Sequence, residues 1–144
     1  MQIEPTQFAE RLVSGMPDAI VYADAEGVIR LWNRGAVRIF GFAEEEAVGC
    51  SLDIIIPERL RERHWHGYQE TMRTGHSRFG DGQILSVPAM RKDGERISVE
   101  FTIVPFTDDS GQTVGIAAVM RDATARFEEL RGLRRQLAAA TPPT

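Results

Sequence analysis

The sequence predicts an α+β fold, in which a five-stranded antiparallel sheet carries helices packed on one face and is followed by a C-terminal helix. Apolar and polar residues alternate from Ile97 to Ile103, which is the period of a strand with one buried face. Between Leu60 and Met72, residues that can face a core recur every four positions, as on one side of a helix. Two apolar runs separated by a turn at Asp24 to Gly27 predict a β-hairpin.

Length and composition favour one domain. The chain has 144 residues, of which 42% are hydrophobic, enough to bury a core. We expect a cap helix in residues 1–15, the main domain in residues 16–124, and a signalling helix with a tail in residues 125–144. The formal net charge of -4 gives the chain no electrostatic reason to bind nucleic acid.

The N-terminal residues predict a short helix. Thr6 can cap it and Gly15 can end it. Its apolar face would consist of Phe8, Leu12 and Val13.

Two further helices are predicted around the hairpin's end. Asn33 follows the second strand and can accept backbone N–H bonds from a helix over Gly35 to Phe40. Glu44 to Val48 would form a short helix with acidic residues in its first turn, which suits the helix dipole, and Gly49 after its end.

The longest helix of the domain is predicted over Glu58 to Thr74. Pro57 suits a helix start and Gly75 suits its end, while Gly67 is expected to interrupt it. The stripe that faces the sheet would consist of Leu60, His64, Tyr68 and Met72.

Three strands are predicted after this helix, over Ile84 to Met90, Ile97 to Phe106 and Val114 to Met120. Turns at Arg91 to Gly94 and at Asp108 to Gly111 would join them. One face of the middle strand would consist of Ile97, Val99, Phe101 and Ile103.

The last helix, over Ala125 to Ala140, has an apolar stripe, which we expect to pack against another surface. Its spacing approaches a coiled-coil seam, which favours a homodimer or a joint to a partner. Fewer than three heptads are present, so folding back onto the chain's own sheet is an equal alternative. The stripe consists of Phe127, Leu130, Leu133 and Leu137.

Several of these motifs occur in the same order in PAS domains. The loose signature at the start of that family is matched by Asp24, Gly27, Ile29, Trp32-Asn33 and Gly41-Phe42. The family's central-helix entry, hairpin turn and strand-to-helix exit are matched by Ile56-Pro57-Glu58, Arg91-Lys92-Asp93-Gly94 and Arg121-Asp122-Ala123-Thr124. Over residues 16–124 the chain resembles PAS sensory domains, in particular those of bacterial oxygen-sensor kinases.

The resemblance implies a sensory and signal-transduction module rather than an enzyme, and the sequence has no phosphate-binding glycine loop or nucleophile elbow. A small ligand or cofactor would lie between the central helix and the sheet, and its state would be relayed through dimerisation or the C-terminal helix. The implied partner is a histidine kinase or another output domain. Asp122 and Thr124 can cap the exit helix and would form the relay. The expected ligand pocket consists of Tyr68, Met72, Val99, Phe101 and Ile103.

Two alternative functions use the same fold. The pocket residues equally suit a plain core, and the domain would then be a ligand-free dimerisation or interaction module. In haem-binding PAS domains of bacterial oxygen sensors, which this stretch resembles, a helix histidine at the position of His64 ligates the iron. A neutral imidazole facing an apolar pocket suits that role, so a haem-based redox or gas sensor is the other alternative. His64 can also merely pack in the core.

The residues expected on the other face of such a haem, opposite His64, depart from the family pattern. Haem PAS sensors often place an arginine or a methionine there, whereas the segment from Gly80 to Ile84 offers only Gln83. This departure argues against gas binding even if haem binds.

Other cofactors are disfavoured, and the cofactor stays unassigned. His64 and His66 are two residues apart, so on a helix they point about 200° apart and cannot share a metal ion. Cys50 lacks the Asn-Cys-Arg-Phe-Leu-Gln context of flavin photoreceptors and is predicted to be a small, partly buried apolar residue.

We expect a cytoplasmic protein without a membrane segment. Residues 1–10 lack the basic and apolar segments of an export signal. The longest apolar runs are far below the ~20 residues that cross a bilayer. The single cysteine, Cys50, excludes an internal disulfide and is consistent with a reducing compartment.

Overall fold

The computed structural model describes residues 2–76 and 83–140. In these ranges the predicted strands form one antiparallel sheet, with all neighbouring strands antiparallel. In chain order they are β1 (Ala19–Asp24), β2 (Ile29–Trp32), β3 (Leu85–Met90), β4 (Arg96–Thr107) and β5 (Thr113–Asp122). Their order across the sheet is β2-β1-β5-β4-β3. The predicted α+β fold is therefore confirmed.

Helices precede, interrupt and follow these strands. Single 3-10 turns at Leu52–Ile55 and Glu58–Leu60 lead into the central helix. The α-helices are α1 (Pro5–Gly15), α2 (Arg34–Phe40), α3 (Glu44–Ala47), α4 (Arg61–Thr74) and α5 (Thr124–Ala140).

The pairing of β1 with β5 joins the N-terminal hairpin to the three C-terminal strands. Val21 lies opposite Ala118, and Asp24 lies opposite Gly115. At Gly115 a Cβ would lie 2.2 Å from the Tyr22 hydroxyl oxygen and 2.5 Å from the Ala23 carbonyl oxygen. The contact between the two strands therefore depends on a residue without a side chain.

The main core lies between the sheet and the short helices that follow β2. Its largest fully buried side chains are Trp32, Phe40, Ile29, Ile39, Val21 and Val99. Trp32 and Phe40 rings contact each other at 5.5 Å between centroids, and the Trp32 indole N–H donates to the Phe42 carbonyl oxygen at 3.0 Å. Burying side chains of this size supplies most of the stabilisation of such a domain.

Asn33 caps α2 as predicted and also ties two other segments to it. Its Oδ1 accepts N–H bonds from Ala36 at 2.9 Å and from Ile20 at 2.8 Å. Its Nδ2 donates to the carbonyl oxygens of Val13 at 2.8 Å and Asp18 at 3.0 Å. The side chain is 5% exposed. One carboxamide therefore holds together the end of α1, the start of β1 and the start of α2.

The predicted β3–β4 hairpin turn docks on the C-terminal end of α2. The Arg91 guanidinium donates to the Ile39 carbonyl oxygen at 2.8 Å. The Lys92 backbone N–H donates to the Phe40 carbonyl oxygen at 2.8 Å. These bonds satisfy carbonyl groups that a helix end leaves without an intrahelical partner. Gly94, at φ +87°, allows the turn.

The strand at the far side of the sheet, β3, contains a proline. Pro88 lies opposite Ser98 of β4. Proline has no backbone N–H, and it occurs in sheets mainly on edge strands such as this one.

The prediction that Thr6 caps the first helix is wrong. Pro5 takes a first helical position, which proline favours, so the cap moves back to Glu4. The Glu4 carboxylate accepts the Thr6 backbone N–H at 3.4 Å. Phe8 and Leu12 on the apolar face are about half exposed.

The central helix also begins later than predicted. Pro57 precedes a 3-10 turn in which the Leu60 N–H donates to the Pro57 carbonyl oxygen at 2.9 Å, and the α-helical part begins at Arg61. The Arg61 guanidinium reaches back and donates to the Ile56 carbonyl oxygen at 3.0 Å, in the segment before the helix. Gly67 does not interrupt α4, which is continuous from Arg61 to Thr74.

Substituting Asn33 tests the junction of these three segments. Asn33→Ala leaves two backbone N–H groups and two carbonyl groups without their partner, so we expect the free energy of unfolding to fall by about 2–4 kcal/mol. Asn33→Asp keeps the acceptors but turns a charged oxygen toward carbonyl groups, and should also destabilise. Urea denaturation measures both.

The control for Asn33 is Ser14→Ala, because the Ser14 hydroxyl makes one exposed bond to the Arg11 carbonyl oxygen at 3.4 Å. We expect that change to stay within about 0.5 kcal/mol. A loss below about 1 kcal/mol for Asn33→Ala would contradict the role given to this side chain.

Candidate functional site

The candidate site lies where α4 packs against β1 and β5, and Tyr68 fixes that packing. Its hydroxyl donates to the Asp24 carbonyl oxygen at 2.6 Å and lies 3.2 Å from the Ala23 carbonyl oxygen. Tyr68 is 8% exposed. Burial, and next the negative charge of Asp24, raises the pKa of the phenol well above its ordinary value. The phenol therefore stays protonated and holds α4 to the end of β1.

Trp65, one turn earlier on α4, closes the same region toward the hairpin turn. Its indole N–H donates to Asp53 Oδ1 at 2.7 Å. The far edge of its ring lies on Gly27, where a Cβ would be only 2.1 Å from Cη2. Its ring centroid is 5.3 Å from that of Tyr68, at an interplanar angle of 70°. Trp65 thus joins the helix, the hairpin turn and the segment before the helix.

His64 lies beside these two aromatic residues. Its ring centroid is 4.6 Å from that of Trp65 and 5.8 Å from that of Tyr68. Nδ1 is buried and has no hydrogen-bond partner in the described part of the chain. Burial lowers the pKa of His64, although the negative charge of Asp53 acts in the opposite direction. The imidazole is therefore neutral at neutral pH.

The five predicted pocket residues fall into two neighbouring groups rather than one. Tyr68, Met72 and Ile103 pack in a small cluster with Ala23 and Ile116, between α4 and the sheet. The other two, Val99 and Phe101, pack in the main core instead. The split arises because β4 runs past both clusters, and only its later residues reach α4.

Sequence reasoning missed four residues of the smaller cluster, which are Ala23, Ile116, Leu52 and Trp65. Trp65 carries a sequence signal that could have placed it in the cluster. Its position three residues before Tyr68 is a helical spacing, which would have placed it next to the inward stripe. Leu52 carries no comparable signal, because its segment is a 3-10 turn without a long period.

The residues predicted to form the relay do meet at the start of α5. Asp122 Oδ1 accepts the Thr124 backbone N–H at 2.9 Å and the Thr124 hydroxyl at 2.6 Å. The Thr124 hydroxyl oxygen accepts the Ser98 backbone N–H of β4 at 3.0 Å. Arg126 of α5 forms an ion pair with Glu100 of β4. The first turn of α5 is thus bonded to the strand that carries Val99.

The apolar stripe of α5 is not buried against the chain's own sheet. Phe127, Leu130 and Leu133 are 45%, 47% and 53% exposed. The alternative in which α5 folds back and covers this stripe is therefore not the arrangement that the structure has.

A surface depression of about 440 Å³ lies elsewhere, between β2 and α3. Arg30 on its wall already forms an ion pair with Asp24 at 2.8 Å. None of the predicted pocket residues lines it. Its walls are formed by Arg30, Leu31, Trp32, Glu44, Glu45 and Val48.

Across residues 2–76 and 83–140, no group of three or more His, Cys, Asp or Glu side chains is arranged to hold a metal ion. No helix in the described part of the chain is both long and apolar enough to span a bilayer. Of the expected distal segment, residues 80–82 lie outside the described residues, and Gln83 is exposed.

Comparison with known proteins gives one family. A sequence profile of the PAS fold matches residues 13–128 of the chain. The PAS domain of a protein from Colwellia psychrerythraea has a similar structure, with a TM-score of 0.74 and 22% identity, covering 85% of this chain and 99% of that one.

Two curated relatives are sensors by name. Sensor protein FixL of Bradyrhizobium diazoefficiens is 33% identical over 124 residues, which cover 81% of this chain and 24% of that protein. Oxygen sensor protein DosP of Escherichia coli is 24% identical over 132 residues, which cover 92% of this chain and 16% of that protein. The chain thus spans a quarter or less of the length of these relatives.

The burial of His64 predicts a pH dependence of stability. Because its pKa is lowered in the folded chain, the unfolded chain binds a proton near pH 6.5 that the folded chain does not yet bind. Stability should be full above about pH 6.5 and fall as the pH drops below it, by at most about 1.4 kcal/mol per pH unit.

Urea unfolding between pH 7.5 and 5.5 measures this slope, and His64→Phe should flatten it. The matched control is His66→Ala on the exposed side of the same helix, which should keep the wild-type slope. Equal slopes for the wild type and His64→Phe would show that His64 does not cause the pH dependence.

Proposed function

This chain belongs to the PAS family, and on that premise we propose that it is a sensory module. It would bind a small ligand or cofactor between α4 and the sheet. It would then relay the bound state through α5 to an output domain, such as a histidine kinase. The remaining length of FixL and DosP supports an output domain outside this segment.

The observation that carries this proposal is the hydrogen-bonded link between β4 and α5. Ser98, Thr124 and Asp122 form a continuous chain of bonds from the strand to the helix start. Val99, next to Ser98, lies in the core with 2% exposed surface. A ligand that shifts β4 would therefore shift the direction in which α5 leaves the sheet. Such a ligand changes the populations of two arrangements according to its difference in affinity for them.

Dimerisation is a proposed part of the relay. The half-exposed Phe127, Leu130 and Leu133 side chains lie at helical spacing on α5, and a second copy of the helix would cover them. A parallel pair of exit helices would convert a change in their angle into a change in the output domains that follow. We propose that this homodimer lies in the cytoplasm. The free thiol of Cys50 suits a reducing compartment.

We propose binding rather than catalysis, because structural contacts account for the shifted carboxyl groups. Burial alone would raise the pKa of Asp24, but bonds from Arg30 and from the Val28 and Glu26 backbone N–H groups outweigh burial and lower it. In the same way, the Ser110 hydroxyl and nearby backbone N–H groups lower the pKa of Asp108 in a turn. Within the described ranges, neither Asp24 nor Asp108 is paired with a second acid or a general base in a cleft.

A double-mutant cycle tests the relay without knowledge of the ligand. The chain is fused to a histidine-kinase output domain, and Ile103→Ala serves as the perturbation of the ligand region. We expect Ile103→Ala to change autophosphorylation, and Asp122→Ala to reduce that change by about fivefold, which corresponds to a coupling of about 1 kcal/mol.

The control background is Asp109→Ala, an exposed carboxylate in the β4–β5 turn, where the effect of Ile103→Ala should persist. The relay proposal fails if Ile103→Ala has the same effect with and without Asp122. Analytical ultracentrifugation of the same variants reports whether the dimer itself has changed. An unliganded dimer with no response in this cycle favours the ligand-free interaction module.

Haem binding through His64 is a second candidate function. It is favoured by the buried Nδ1 atom, which has no hydrogen-bond partner among residues 2–76 and 83–140, and by the relative named as an oxygen sensor. A neutral imidazole fits the donor chemistry of haem iron, and bound haem would supply a centre for a gas molecule or an electron. The surroundings fit less well, because Trp65 and Tyr68 rings already pack on the imidazole. Haem would require Trp65 to move.

Absorption spectra decide this second candidate. Protein produced with haem available should show a Soret band that is lost in His64→Ala and kept in His66→Ala. The haem proposal fails if the wild type is colourless, or if the band has the same intensity in His64→Ala.

A further inference from the structure

We propose that the Trp65 indole is an internal occupant of the ligand site, and that the ligand displacing it is a flat heteroaromatic molecule with an N–H donor. The inference rests on the proposed function, because it specifies the chemical class of that ligand. The space, the hydrogen-bond acceptor and the neighbouring rings around Trp65 each support it.

The space around the indole is shaped for a flat ring. Gly27 has φ +79°, and a Cβ there would lie 2.1 Å from Cη2 and 2.2 Å from Cζ3 of Trp65. A side chain at position 27 would therefore occupy the place of the ring edge. On the helix side, the ring meets Tyr68 and His64 at interplanar angles of 70° and 77°. These edge-to-face contacts favour an aromatic occupant over an aliphatic one.

The acceptor at one end of the space is a carboxylate. Asp53 Oδ1 accepts the indole N–H at 2.7 Å. The Ser51 hydroxyl oxygen accepts the Asp53 backbone N–H at 3.1 Å, which holds the 3-10 turn that presents this carboxylate. The Asp53 side chain is 40% exposed and lies 4.0 Å from Arg61. A guest that replaces the indole must donate a hydrogen bond to Asp53, or leave that carboxylate without its partner.

The proposal requires that Trp65 leave while the main core and the link from α4 to β1 persist. Trp65 is only partly buried, whereas the large core side chains Trp32 and Phe40 are fully buried and belong to the main cluster. Tyr68 holds α4 to β1 through its own bonds. Beside the ring, Nδ1 of His64 has no hydrogen-bond partner in the ranges that the structure describes, so a ligand could bond to it.

Indole itself is the probe, and Trp65→Ala is the variant that vacates the site. By isothermal titration calorimetry, Trp65→Ala should bind indole at least about tenfold more tightly than the wild type. It should prefer indole over indene, which has the same shape but no N–H, by about tenfold. Trp65→Ala combined with Asp53→Ala should lose that preference.

Phe40→Ala removes an aromatic ring from the main core, away from Asp53, and should show no preference between indole and indene. The proposal is overturned if folded Trp65→Ala binds indole no better than the wild type, or binds indene equally well. Circular dichroism establishes folding, with Trp65→Phe as the variant that keeps a ring.

A measurement on the wild type decides the matter if Trp65→Ala does not fold. The chain has two tryptophans, so 5-fluorotryptophan labelling gives two 19F resonances, of which Trp65→Phe identifies one. Saturating indole should move the Trp65 resonance toward its value in unfolded protein and leave the Trp32 resonance in place. A Trp65 resonance that does not move overturns the proposal.

These experiments use the isolated chain and do not depend on α5. Indole binding in Trp65→Ala together with a failed relay cycle would retain the ligand class and reject the sensory role. A successful relay cycle with no indole binding would retain the sensory role and reject the ligand class.

Discussion

The pairing of β1 with β5 is the constraint on which the other features depend. These strands come from opposite ends of the domain, and their backbone bonds make one sheet out of an N-terminal hairpin and a C-terminal group of three strands. Tyr68 bonds to the last residues of β1, and Ile116 of β5 packs in the same cluster. Without that pairing, α4 would have no continuous surface to cross. Contacts between segments so distant in sequence form late and carry a large loop-closure cost.

The candidate site and the proposed relay both depend on this arrangement. One side of the sheet receives α4, whose aromatic residues pack beside the hairpin turn. The other end of the same sheet receives the first turn of α5, through Thr124 and Ser98. Since β4 contributes both Ile103 near α4 and Ser98 near α5, a single strand connects the two places. A rigid strand transmits a small displacement over its length better than a loop would.

The features that the sequence predicted well are those decided by residues close together in the sequence. The Asn33 cap and the turn at Gly94 follow from local geometry, and the structure has both, while the alternating burial of β4 holds at Ile97 and Val99. The cap of the first helix is also decided locally, by Pro5, but it was predicted at Thr6 and lies at Glu4. The contacts of Trp65 with Gly27 and Asp53 were not predictable, because they form only when the chain has folded. Likewise, no periodicity tells which residues of β4 lie under α4.

The proline in β3 has a consequence for assembly. An edge strand offers a row of backbone donors and acceptors to which another chain can add a strand, and such addition leads to uncontrolled aggregation. Pro88 removes one donor from the middle of that row. Growth of the sheet beyond β3 is thereby discouraged, so that the proposed dimerisation would use surfaces made of side chains. A sensor that must switch between arrangements benefits from contacts that are weak enough to break.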